Sequence, residues 1–191
     1  MKKKGKYKMK KLLFAAVVGF LAATSQAYQI KWSALNIKTP TATDVTVAQT
    51  GITGTGAAMS GLDIALYWVS TSGDVLIDTF TSDSGKVAAQ TLGDGTSSAL
   101  YTAMVADQGD TWKPVFHMTA TYTTADGTYE FDGTVTSSLA IGDLGTKNVT
   151  ANANFGNIAG WSYTPNDVPE PTSGLLMLLG VAGLALRRKR A

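Results

Sequence analysis

The sequence predicts an all-β body, an antiparallel two-sheet sandwich or jelly roll, set between an N-terminal signal helix and a short C-terminal hydrophobic helix. Three observations predict it. Between Tyr28 and Tyr163 the chain is rich in Thr, Val, Tyr and Gly, which suit pleated strands and their turns, and poor in the straight-chain residues that favour helices. Runs of five to nine strand-like residues alternate with Gly, Asn and Asp clusters at fairly even spacing. There is no cysteine, so about 140 residues must be held by their own core, which suffices for one domain and hardly for two. The runs number eight or nine, which fits a two-sheet sandwich or jelly roll better than a small barrel, and no period of about 20 to 50 residues signals a solenoid.

Taken in order, Tyr28-Gln29-Ile30-Lys31-Trp32 alternates and lays Tyr28, Ile30 and Trp32 on one face. A weak strand is expected around Val45 and Val47 after Pro40, and the glycine-rich stretch 51–61 reads as a loop. The strongest candidate for a central strand is 62–70, with Leu62, Ile64, Leu66 and Trp68 on one face and Ala65, Tyr67 and Val69 on the other, so that both faces could be covered. Ser72-Gly73-Asp74 turns it into a hairpin with 75–81. Residues 82–98 read as a long loop with one helical turn at 86–90, and 99–106 as a strand. Pro114 cannot donate into a ladder and delays the next strand to 115–123. That strand pairs with 128–136 across Ala125-Asp126-Gly127, where Asp and Gly favour the positive φ of a tight hairpin turn. Strands at 147–155 and 158–163 close the body, and 164–167 is a short linker.

Catalytic chemistry is thinly supplied. His117 is the one histidine, it lies in an alternating strand, and no Gly-x-Ser-x-Gly nucleophile motif accompanies it, so an outward or rim position is expected rather than a triad. One histidine without cysteine cannot furnish a zinc site. Glu130 and Asp132 share a strand face, roughly 7 Å apart by strand geometry, a spacing that overlaps that of glycosidase carboxylates. An exported glycan hydrolase built on that pair is the alternative reading; with Tyr129, Phe131 and Gly133 pointing inward, the acids read first as the wet face of their strand. No cofactor is expected. Structural calcium at Asp94, Asp107 and Asp110 is the one ion the loops suggest, without an EF-hand or nonapeptide pattern behind it. Threonine rows at 119–123, 134–136 and 39–43 form a flat ice-binding array only if they stack in register over several strands. Of the four tryptophans, Trp32 and Trp68 are expected in the core, and Trp112, in a loop, is the candidate glycan contact by stacking on sugar.

The two ends carry addresses. Residues 1–11 hold seven lysines and no acid, 12–23 are apolar, and Ser25-Gln26-Ala27 offers small residues, so 1–27 reads as a signal peptide cut by signal peptidase between Ala27 and Tyr28. At the other end stand Val168-Pro169-Glu170-Pro171-Thr172, then Ser173-Gly174-Leu175-Leu176-Met177-Leu178-Leu179-Gly180-Val181-Ala182-Gly183-Leu184-Ala185-Leu186, then the basic stop Arg187-Arg188-Lys189-Arg190. The prolines keep the stretch around Glu170 extended and open to a reader. Residues 172–186 as a helix rise only ~22 Å against a ~30 Å bilayer core, a length that suits a temporary anchor, and the arginines should stay cytoplasmic. An ordinary membrane anchor is the plainer reading of the same residues.

The order of break, greasy segment and basic end resembles the PEP-CTERM sorting signal of bacterial exported proteins, a tail also labelled as the C-terminal segment of ice-binding proteins. The resemblance covers residues 168–191 and leaves the body, 28–163, unassigned. It implies a precursor transiently anchored in the inner membrane, an exosortase-type protease cutting near Pro169-Glu170-Pro171, and delivery to the cell surface or extracellular matrix. Between residues 28 and 168 five lysines stand against thirteen acids, a net charge of −8 with no arginine, which excludes nucleic acid as a partner. An exported, non-enzymatic surface or matrix protein is expected, with extracellular polysaccharide as its candidate partner.

Overall fold

The structure, a computed structural model, describes residues 27–166. Strand accounts for 54% of them and helix for 13%, in agreement with an all-β body. The signal segment, the sorting motif, the apolar segment and the basic stop lie outside the described residues, apart from Ala27 at the border. Among the described residues no helix is long and apolar enough to cross a membrane.

Among the described residues eleven strands form: β1 (Gln29–Leu35), β2 (Lys38–Pro40), β3 (Gln49–Ile52), β4 (Gly54–Ala58), β5 (Asp63–Ser70), β6 (Gly73–Thr81), β7 (Val87–Asp94), β8 (Val115–Thr123), β9 (Gly127–Thr136), β10 (Val149–Asn154) and β11 (Trp161–Pro165). One helix, α1 (Ala99–Gln108), and two 3-10 turns at Ile141–Gly145 and Phe155–Asn157 complete the body. A six-stranded antiparallel sheet, β3-β11-β9-β8-β5-β6, faces a three-stranded sheet, β10-β1-β7, and β2 with β4 makes a small separate ribbon.

The core lies between the two large layers. On the inner face of the six-stranded sheet, Trp161, Phe131, Ala120, Ile64 and Phe80 stand side by side in register across β11, β9, β8, β5 and β6. Phe131 stacks on Phe155 at 4.1 Å and meets Trp161 edge-on at 5.3 Å. The opposing layer supplies Ile30, Trp32 and Ala34 from β1 beside Val149, Ala151 and Ala153 from β10, so the largest ring of β1 faces an alanine. Trp32 reaches across the layers to stack on Phe80 at 5.3 Å. Burial of Trp32 and Trp68 agrees with the expectation, and Trp161 is buried with them.

Several expectations are corrected. The β1–β10 pair is parallel, so the sandwich is not purely antiparallel. Residues 99–106 are helical rather than a strand: the Ser98 hydroxyl accepts the Tyr101 N–H at the helix start, the Gly109 N–H reaches the Val105 carbonyl at its end, and the helix buries Met104. Residues 87–94, expected as loop and helical turn, are the strand β7, drawn out by pairing with β1. Val45 and Val47 lie in an exposed turn, and the strands near them are β2 and β3. The glycine-rich stretch folds as part of β3 and as β4; a Cβ on Gly54 would stand 2.1 Å from the Lys38 carbonyl oxygen, so the close ribbon needs glycine there. Strand β5 is covered on one face alone, with Ala65, Tyr67 and Val69 half-buried on the other. The β8–β9 hairpin forms as expected, yet neither Asp126 nor Gly127 takes positive φ. Gly127 is required for another reason: a Cβ there would meet the Thr164 carbonyl oxygen at 2.4 Å and the Tyr163 ring at 2.6 Å. Finally, β11 runs on through Thr164 and Pro165, inside the stretch expected as linker.

Candidate functional site

Two places gather polar side chains. The first is the outer face of the six-stranded sheet. His117 on β8 sits there between two carboxylates, with Nδ1 2.5 Å from Asp74 Oδ2 and Nε2 3.0 Å from Asp132 Oδ1. The Tyr67 ring lies beside the imidazole at 5.7 Å. Each ring nitrogen thus has a carboxylate oxygen within hydrogen-bond distance. The group spans β6, β5, β8 and β9 and is internally bonded.

The outward position expected for His117 is thus found, with company the sequence did not name. Register supplies half of that company: the Asp-Gly hairpin pairs Thr119 with Asp132 and His117 with Thr134, which makes Asp132 a diagonal neighbour of His117. Asp74 arrives through the pairing of β5 with β8 and β6, which no local signal encodes.

Glu130 and Asp132 stand on the wet side of β9 while Tyr129, Phe131 and Gly133 are buried. Asp132 is engaged by His117, and Glu130 is exposed opposite Thr121 and Ser162. The threonine rows come into register only at the hairpin end, where Thr123, Thr128 and Thr164 stand side by side across β8, β9 and β11; elsewhere Thr119 and Thr121 face Asp132 and Glu130, and Thr134 faces His117. Trp112 is half-buried and packed against the core. Asp107 accepts from the Thr71 N–H and hydroxyl, bonds that hold its carboxyl below the usual carboxylate range. The Asp110 carbonyl takes the Gly142 N–H, and Asp94 ends β7 opposite Gln29. Among the described residues no group of three or more His, Asp or Glu side chains is placed to hold a metal ion.

The second place is the pole where the chain leaves the sheet. The buried Tyr163 hydroxyl lies 3.0 Å from the Val45 carbonyl oxygen and 2.9 Å from that of Asp126, and shares its proton between them. Burial first, and the Asp126 charge second, push this phenol above its ordinary value, so it remains a donor. Tyr163 packs on Tyr129 at 4.7 Å, whose hydroxyl accepts the Ala42 N–H. One residue beyond β11, the Asn166 N–H donates to the Asp126 carbonyl and its side-chain amide to the Ala125 carbonyl, each at 2.9 Å. The chain is therefore bonded to the β8–β9 turn up to its last described residue.

The sequence that follows Asn166 has a counterpart among known protein families. Residues 167–190 match the PEP-CTERM protein-sorting motif. The match begins immediately after Asn166, takes in Val168 to Pro171, and leaves the body unassigned. No curated protein and no solved structure matches the chain. A PEP-CTERM tail implies export, a membrane-anchored precursor and processing by an exosortase-type sorting system.

Proposed function

We propose that this chain is a non-enzymatic protein of the cell surface or extracellular matrix, delivered there by its PEP-CTERM tail, with extracellular polysaccharide as its partner and Trp112 as the ring nearest to hand. The single observation behind this reading is the motif match directly after the last bonded residue of the body. The state of the acids supports the non-enzymatic part: Asp132 is tied to His117, and Glu130 stands on an exposed sheet face opposite Thr121 and Ser162.

The test is the mass of the mature protein in the membrane fraction and in the medium, for the wild type and for Pro169→Ala with Pro171→Ala. The expected wild-type product lacks residues 1–27 and the tail, and the double variant keeps its tail in the membrane. A wild-type tail that stays intact in the membrane would make the segment a plain anchor and overturn the sorting reading.

A further inference from the structure

We infer that the folded body acts as a brake on its own processing: the Tyr163–Asn166 clamp holds the chain against the sheet at the edge of the motif, and removal of the tail waits on local opening there. The inference rests on the sorting reading of the tail. An enzyme that cuts a chain takes it in extended form, with several residues on each side of the scissile bond lying free in its groove. From Asn166 to Pro169 there are three residues, a reach of roughly 10 Å at about 3.5 Å each. A groove that engages the residues ahead of Pro169 therefore meets Asn166, bonded through its N–H and its side chain to the β8–β9 turn.

The clamp is graded. Asn166 lies at the end of the described chain and opens by breaking two hydrogen bonds, whereas Tyr163 is buried in the core and opens with much of β11. The grading has two consequences. The mature protein keeps the whole of β11, so its C-terminus lies beyond Pro165. The rate of processing tracks the population in which Asn166 is released, as for any cleavage in which opening is fast and cutting slow.

The experiment is a pulse-chase of the full-length precursor in cells that process it, comparing wild type, Asn166→Ala, and a six-residue Gly/Ser insertion between Asn166 and Asp167. The insertion leaves the body untouched and moves the motif away by up to about 20 Å. We expect it to speed conversion at least fivefold, and Asn166→Ala, which removes one exposed hydrogen bond, to speed it by about twofold, the low end of what such a bond carries. Equal rates in all three chains would overturn the brake while leaving the sorting reading intact. Slower conversion of the insertion would also overturn it, since the pole would then be a surface the enzyme needs. A wild type that is never converted removes both readings.

Discussion

The two faces of the six-stranded sheet are built from the same strands in alternation and differ in what holds them. Inward, Trp161, Phe131, Ala120, Ile64 and Phe80 form one apolar row closed by Trp32 from the other layer. Outward, the neighbouring positions are mostly threonines and acids, with Ala65, Tyr67, Val69, Leu76 and His117 among them, and His117 is joined to two of the acids by hydrogen bonds in water. Apolar contact between layers cannot be replaced by solvent, whereas an exposed polar bond can. The inner face should therefore carry the stability of the body and the outer face little of it.

The largest effect tests the inner face. Phe131→Ala removes the ring shared by Phe155 and Trp161 and is expected to cost about 3–5 kcal/mol, a large part of the ~5–15 kcal/mol that holds a domain, read by urea unfolding. A loss below about 1 kcal/mol would mean the row collapses without cost and the contrast between faces is false. A smaller effect sharpens the other side. His117→Gln should cost about 1 kcal/mol. Asp74→Asn should cost more than Asp132→Asn, because the Asp74 side chain is 38% exposed and that of Asp132 81%. Equal losses at the two acids would show that the imidazole does not discriminate between them. The smallest effect is a change of slope with pH. Hydrogen bonds from Thr71 hold Asp107, and those from Thr46 hold Asp44, below the ordinary carboxylate value. Their contribution is complete above that ordinary value, about 4, and is lost as pH falls through the lower folded values. Asp107→Asn should flatten the decline of melting temperature as pH falls below about 4; an unchanged decline would place the acid sensitivity elsewhere.

The same contrast explains how much was legible in the sequence. Both hairpins with short turns, β5–β6 and β8–β9, were readable because turn and alternation lie within one stretch, and the inward sets Leu62-Ile64-Leu66-Trp68 and Tyr129-Phe131 came from period two. The exchange of strand and helix between 87–94 and 99–108 has a physical cause. Val87–Asp94 has weak strand propensity and is extended by its partner β1, while Tyr101, Thr102 and Val105 look strand-like and are overruled by the Ser98 cap and the burial of Met104. Ser98 and Gly109 were the local signs of that helix. The parallel β1–β10 pair had no such sign, because nothing near either strand encodes a partner more than a hundred residues away. Of the polar sites, Asp132 beside His117 was within reach of register arithmetic, and Asp74 was not. The exit clamp was hidden because Thr164 to Asn166 reads as linker until Gly127 is seen to make room for Tyr163.

The pairing of β1 with β10 also sets an order of events in time. Ile30 aligns with Val149 and Leu35 with Asn154, so the central strand of the smaller layer has its parallel neighbour only after nearly the whole body has emerged. Contacts of such sequence separation form late and slowly, and an apolar strand without its neighbour is open to wrong partners in the meantime. A chain delivered from its N-terminus would thus arrive with Ile30, Trp32 and Ala34 first and bury them among the last, so the time it spends sticky is set by the length of chain between the two strands rather than by either of them.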